Sequence, residues 1–335
     1  GRCLRSLSKQ DYHNIEILVL DDDSNDGTAW IVRKLSEKDK RIRLIRGRSL
    51  GRGWKGKSYA CHQLSGEAAG EYYVFTDADT LHFPNSISSS LGALISRKLD
   101  VLSVFPKQIM VSLHERMAVI FINLAVLALM PLYLIRRTRS PKISIANGQF
   151  ILFKRSVYRS IGGHRSIKDD IVEDVALSKQ VKKCGYRFMV FDGRSAIYCR
   201  MYDGFKDVVR GFSKFIFAAM NYSVIKLIVV ISLIMLLFLV PLLLLPLGLY
   251  FFNWPWLVNV MILSQVSIIL FIRIAMTFRF KSRFTDIFLH PLAMFYIVTL
   301  SVNSVYQAKY GSGIFWKDRF YGITEDEELD NKKAE

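Results

Sequence analysis

Cysteine is scarce in this chain: Cys3, Cys61, Cys184 and Cys199 are scattered over 335 residues. None sits at metal-ligand spacing. They read as reduced thiols, which suits a domain facing the cytosol. Acidic residues are also in deficit, with 29 Asp and Glu against 46 Lys and Arg and a formal charge of +17. Such a balance suits nucleic acid, anionic lipid or an acidic substrate. Zinc-finger, RNA-recognition and basic-zipper patterns are missing, so nucleic acid is not the expected partner. No signal peptide is visible. Gly1 is not an initiator Met, and the chain reads as cut at its start. Charge nearly vanishes over residues 224–252, where Lys226 stands alone.

What is present divides in two. Charged residues crowd before Asn221 and apolar ones after it, although 51% of the whole is hydrophobic. The first part is long enough for one α/β domain with a full core. Strands are expected over residues 15–20, 42–46, 72–76, 101–105, 143–153 and 186–191. Helices are expected over 28–37, 58–69, 84–98 and 172–183. The glycine-rich basic loop SLGRGWKGK ends at Lys57. Strands alternating with helices predict a largely parallel sheet.

Residues 114–135 are apolar, are interrupted by Asn123 and Pro131, and lead into Arg136, Arg137 and Arg139. They are expected to lie in a membrane interface rather than to cross it. Residues 224–252, with Pro241 and Pro246 inside, are expected to span, and so are 257–278, where Arg273 can snorkel. Residues 287–306 make a weaker third span or a re-entrant helix. The basic loop of Arg279, Lys281 and Arg283 places itself and the α/β domain in the cytosol by the positive-inside rule. Residues 307–335 are expected to be a juxtamembrane segment and a disordered, charged tail.

Two apolar strands run into carboxylates. ILVLDDDSNDGT covers Ile17 to Thr28, and Tyr72 to Phe75 lead to Asp77-Ala78-Asp79. A buried strand ending in an acidic turn before a helix is how an open α/β sheet builds a ligand crevice. Two such ends at one sheet edge make a site for a hard cation and the phosphates it carries. Read alone, Asp77-Ala78-Asp79 is equally an acidic cap before the helix that Pro84 opens. Glu173-Asp174 is equally an ordinary acidic first turn. Trp54 either stacks on a ligand or pins its loop.

The order of DDDSNDGT, DAD at Asp77 to Asp79 and IVED at Ile171 to Asp174 resembles family 2 glycosyltransferases of the GT-A fold. GWKGK followed by Ala60, NGQF at Asn147 to Phe150, and IGGH at Ile161 to His164 narrow the resemblance to a membrane-bound, lipid-glycosylating branch. That branch includes carotenoid-acid and hopanoid-associated enzymes. The resemblance covers nearly the whole chain. It implies an α/β, Rossmann-like GT-A catalytic domain over residues 1–220 with C-terminal transmembrane helices. It also implies a strand before Gly1, beside the one ending at Asp21.

By resemblance Asp79 binds a divalent metal, Mn2+ or Mg2+, and Asp77 helps place the ribose or the ion. Asp22, next to Asp21, contacts the nucleotide base. Asp23 replaces the usual glycine of this motif, which puts the local turn in question. Lys57 suits a uracil carbonyl or a donor phosphate. Asp174 is the catalytic base, with Glu173 beside it. Glu173, Gln149 and His164 are candidate acceptor or diphosphate contacts, and a structural role is open for His164.

Arg210 and Lys214 fall where polymerising relatives carry Gln-x-x-Arg-Trp. That motif is missing, which disfavours a processive polysaccharide synthase. Both cations suit a diphosphate or an interfacial anchor. Trp316-Lys317-Asp318-Arg319 resembles a juxtamembrane motif of this branch, and an anchor explains it equally.

The reading is an inverting, metal-dependent transfer of a hexose, glucose by expectation, from a UDP-sugar to a membrane lipid at the cytosolic leaflet. The alternatives are the synthase or a non-catalytic membrane scaffold of the same fold.

Overall fold

The computed structural model describes residues 1–124, 135, 137–138, 140–170, 172–220, 222–310, 314–316 and 319–321. They form two compact units. One comprises Gly1–Ile109 with Val126–Met201, the other Met110–Ala125 with Tyr202–Glu335. The expected domain boundary at residue 220 therefore does not coincide with the division in the structure. The second unit begins at Tyr202 and also takes the segment from Met110.

In the first unit, α1 (Arg2–Leu7) precedes β1 (Ile17–Asp21), α2 (Thr28–Lys38), β2 (Ile42–Arg46), α3 (Gly56–Glu67) and β3 (Tyr72–Thr76). Then follow β4 (Thr80–His82), α4 (Ser86–Ser96), β5 (Val101–Phe105), β6 (Lys107–Gln108), β7 (Phe150–Lys154), β8 (Phe188–Asp192) and β9 (Ile197–Cys199). The main sheet runs β3-β7-β5-β8. VLSVF and FILFK fill its two inner positions, β5 and β7. Such unbroken apolar runs suit strands buried on both faces. Val101, Ile151, Phe153 and Val181 pack on one side; Leu94, Leu102, Phe150 and Leu152 pack on the other.

The sheet is mixed rather than largely parallel. β7 is antiparallel to both β3 and β5, and only β5 and β8 run parallel. A helical crossover makes successive strands parallel. β7 instead enters from the turn at Asn147, whose carbonyl accepts from the Phe150 N–H at 3.2 Å, and starts opposite Thr76. That reversal puts residues 147–149 beside the end of β3. It also confines the strand expected over 143–153 to its last part.

β1 and β2 form a separate parallel pair packed on Cys3, Leu4, Leu7 and Val32. The other edge of β1 pairs with no strand among the described residues. It borders a cavity of about 710 Å³ that is also lined by Tyr72, Val74 and Thr76 of β3.

A buried polar chain braces the turn after β3. The Thr80 hydroxyl donates to the Asp77 carbonyl at 2.7 Å. His82 Nε2 lies 3.1 Å from the Thr76 hydroxyl and 3.0 Å from that of Thr80. Its Nδ1 is 3.3 Å from Ser86, which donates to Gln10 at 2.9 Å. Buried polar groups persist when they satisfy one another in this way.

The second unit is helical. Its first helix, Leu113–Leu124, opens on a box in which Glu115 accepts from the Ser112 hydroxyl at 2.8 Å and Ser112 accepts from the Glu115 N–H at 3.3 Å. The rest of the interfacial helix expected to 135 lies largely outside the described residues. Residues 224–252 are not one helix but two, Val224–Phe238 and Val240–Tyr250. The break falls at Leu239, just before Pro241, which has no N–H to continue the ladder.

Trp256–Phe280 has 25 residues, about 37 Å at 1.5 Å per residue, long and apolar enough to cross a membrane. Phe205–Ala219 with Val224–Phe238 passes the same test only as one bent span. Where a third span was expected lies the helix His290–Lys309, behind a 3-10 turn at Phe284–Ile287; it does not pass that test. Arg273 does not snorkel. It is 2% exposed and donates to the Asp286 carbonyl, while the Asp286 carboxylate pairs with Arg116 at 3.1 Å. A partner inside the bundle has replaced the route to an interface. Of the juxtamembrane motif, Trp316 and Arg319 belong to a short hairpin, and the tail expected from Thr324 lies outside the described residues.

Burial lowers the His82 pKa from 6.5 to about 4. The unfolded chain therefore binds the extra proton first as pH falls. The contribution of His82 is full above pH 6.5 and lost as pH drops through 4, up to about 3 kcal/mol. In urea melts at pH 7, 5.5 and 4, His82→Asn should be less stable at pH 7 and show a shallower acid loss than wild type. Equal slopes would remove His82 from the acid response.

Candidate active site

Three chain segments meet at one wall of the cavity. α3 carries Lys57 in its first turn, the end of β3 carries Asp77, and the Glu173–Lys183 helix opens with Glu173 and Asp174. The Lys57 ammonium lies 2.8 Å from Asp77 Oδ1 and 2.8 Å from Glu173 Oε1. Asp174 Oδ2 accepts from the Gly148 N–H at 2.8 Å, and its Oδ1 from the Val175 N–H at 2.8 Å.

Gly148 leaves the space in which these groups converge. A Cβ there would lie 2.8 Å from Lys57 Nζ and 3.4 Å from both Asp174 Oδ2 and Glu173 Oε1. The motif NGQF was legible as a turn, but nothing in its spacing showed that the glycine would face a lysine and two carboxylates.

The electrostatics follow from crowding. Burial, then the neighbouring Glu173, raises the Asp174 pKa to about 6, while Lys57 and the two N–H donors pull the other way. Lys57 is depressed by burial, but Glu173 and Asp77 more than offset this and hold it well above the usual lysine range. Its side chain is still 43% exposed where it lines the cavity. Burial pushes the Cys61 thiol up to about 12, so it is no nucleophile at neutral pH.

The other predicted residues have varied places. Gln149 is buried and accepts from Gln108 at 2.8 Å, while its carbonyl accepts from the Thr76 hydroxyl at 2.8 Å, a bracing role. His164 lines the cavity, yet its Nδ1 is engaged by the Tyr158 hydroxyl at 2.7 Å and burial lowers its pKa to about 4. Gly163 has φ +51°, and a Cβ there would meet the Tyr158 ring at 2.5 Å, so IGGH serves close packing on Tyr158.

Asp21, Asp22 and Asp79 are not in the cavity lining. The Asp21 carboxylate accepts from the Ser24 N–H at 3.2 Å, and Asp23 adopts φ +62°, the left-handed turn that its usual glycine would take without strain. Trp54 stacks on His62 at 4.9 Å between ring centroids and pins the loop. Arg210 and Lys214 lie on the Phe205–Ala219 helix of the second unit.

No group of three or more His, Cys, Asp or Glu among the described residues is arranged to hold a metal alone. Mg2+ is commonly held by one or two carboxylates plus substrate phosphates. Asp77 and Asp79, in the turn after β3, are carboxylates of the type such a set needs, and of the two Asp77 lines the cavity.

Residues 1–162 match the family model "Glycosyl transferase family 2". Over those residues the chain is similar to family 2 glycosyltransferases. A curated relative, the 4,4'-diaponeurosporenoate glycosyltransferase of Staphylococcus haemolyticus (strain JCSC1435), is 27% identical over 216 residues, 64% of this chain and 56% of the relative. The protein of that name from Staphylococcus aureus (strain MRSA252) is 26% identical over 220 residues with the same coverage. The matched region thus spans little more than half the length of these relatives.

Among solved structures, the mannosyltransferase PcManGT from Pyrobaculum calidifontis in complex with GDP-Man and Mn2+ superposes with a TM-score of 0.51 at 18% identity, covering 90% of this chain and 82% of that one. The fold of the glycosyltransferase domain is the GT-A fold.

Gly148→Ala tests the convergence. The methyl would push the flexible ammonium aside, so the fold should survive with a similar melting temperature. Transfer should fall by roughly a hundredfold, the usual effect of a displacement near 1 Å. An unchanged rate would show that the lysine position does not matter.

Proposed function

We propose that the protein is an inverting, metal-dependent glycosyltransferase that moves a hexose, glucose by expectation, from a UDP-sugar to a membrane lipid. The observation that carries this reading is the convergence of Asp174, Glu173, Lys57 and Asp77 on one cavity wall. Asp174 is held by two N–H donors and has a pKa near the operating range of a general base. It would accept the proton of the acceptor hydroxyl or acid as that oxygen attacks the sugar carbon from the face opposite the leaving group. Asp77 and Asp79 would hold a divalent ion, which supplies charge neutralisation to the departing diphosphate. Lys57 would meet the same diphosphate as a point charge. Asp21 and Asp22, ending β1, would face the nucleotide, and Gln149 and His164 brace the site from behind.

A lipid acceptor is supported by the apolar surface of the second unit, where Phe271 is 71% and Phe288 85% exposed, and by the carotenoid-acid acceptor in the relatives' name. The helices of that unit would seat in the membrane with the catalytic domain in the cytosol. Arg210 and Lys214 would lie at the headgroups or the diphosphate. Incubating membranes with radiolabelled UDP-glucose or UDP-galactose and extracting the lipids tests donor and acceptor class together. Label confined to water-soluble polymer would turn the reading toward a polysaccharide synthase.

Asp174→Asn keeps the shape but removes the proton acceptor. The chemical step should slow by about a hundredfold to ten-thousandfold, with donor affinity nearly unchanged. Parallel collapse of UDP binding would make Asp174 a donor ligand and move the search for the base to Glu173.

The pH profile gives a second check. Asp174 must be ionised, so kcat/KM should rise with pH through about 6. Glu173 raises that value, so Glu173→Gln should shift the acidic limb to lower pH. A limb that stays in place would exclude Asp174 as the titrating base.

A further inference from the structure

The donor-free site already contains a cation. Lys57 Nζ bridges Asp77 and Glu173 at 2.8 Å each, and Asp77 is one of the two carboxylates suited to the metal. The backbone that carries Lys57 is fixed: the Lys55 N–H donates to the Lys168 carbonyl at 2.8 Å, and Trp54 stacks on His62. The side chain is not so confined. It is 43% exposed, has four rotatable carbons and faces an open cavity. Gly148 packs against the ammonium with no side chain to fix it there.

A divalent ion bound to Asp77 would therefore meet a positive charge on the same carboxylate. Glu173 keeps the ammonium next to Asp77, so a metal there would be weakened by that charge until further negative charge arrives. A nucleotide diphosphate brings that charge. It completes the metal's oxygen shell and offers the ammonium a new anionic partner.

We propose that Lys57 is the resident counter-ion of the donor site, occupying Asp77 in the donor-free protein and yielding it to the metal only when a nucleotide diphosphate takes over the ammonium. The proposal rests on the metal-dependent reading above. It makes metal and donor bind as a coupled pair, each raising the other's affinity by the same factor. It also explains why the acid cluster does not repel itself apart before substrate arrives.

Mn2+ binding to the whole chain in detergent tests this, followed by electron paramagnetic resonance, which separates free, UDP-bound and protein-bound ion. Wild type should bind Mn2+ weakly alone and at least tenfold more tightly with UDP. Lys57→Met should bind Mn2+ alone at least tenfold more tightly than wild type, and UDP should add less than threefold. Should Lys57→Met fail to fold by circular dichroism, Lys57→Gln, which keeps a polar group without the charge, takes its place with the same expectation. Unchanged or weaker donor-free Mn2+ binding in the folded variant, with wild-type coupling intact, overturns the counter-ion role alone. Failure of wild type to bind Mn2+ even with UDP overturns the metal-dependent reading and this inference with it.

Discussion

The ammonium of Lys57 is the point on which the first unit's chemistry hangs. Asp77 ends β3, and Glu173 and Asp174 open a helix almost a hundred residues later. Carboxylates brought this close repel one another and resist desolvation. One shared cation allows them to approach, and a glycine rather than a side chain at residue 148 gives that cation room. The mixed sheet serves the same end. Because β7 runs against β3, the turn before it reaches the carboxylate-bearing edge and its N–H can hold Asp174.

Much of this was legible in the sequence because its signals were local. Apolar runs ending in carboxylates marked β1 and β3, and the acidic first turn marked the helix that carries Asp174. The glycosyltransferase resemblance rested on such motifs in order, and the family match over residues 1–162 agrees with it. What escaped depends on contacts distant in the chain. Strand direction at β7 is set by how the chain returns to the sheet, and alternation does not encode that. The polar brace of Gln10, Thr76, Thr80, His82 and Ser86 joins residues up to 76 apart with no common spacing. Tyr158 looked like any aromatic until His164 and Gly163 were found packed on it.

The second unit shows a different limit. Hydropathy located the apolar stretches but treated them as uninterrupted rods. Pro241 divides one of them at Leu239, and Arg273 turns inward to the carbonyl of Asp286, whose carboxylate pairs with Arg116. A cation in a long apolar helix is costly wherever it lies, so its position reports the nearest acceptor, here a carbonyl beside a carboxylate, rather than the nearest water. That acceptor sits in a short turn between two helices, which ties Leu113–Leu124 to the Trp256–Phe280 helix through one aspartate.

The isolation of the β1–β2 pair has a consequence for how the domain breathes. Two strands alone are marginal, and this pair is attached to the unit by helix packing rather than by a ladder to β3. As it stands among the described residues, the pair is expected to open as a unit of its own. Its amides would exchange with solvent through a sub-global opening, while those of β5 and β7 would wait for the whole core to unfold. Asp21 would then ride at the end of the part that opens first, while Asp174 is held through Gly148, just before β7, beside the part that would open last.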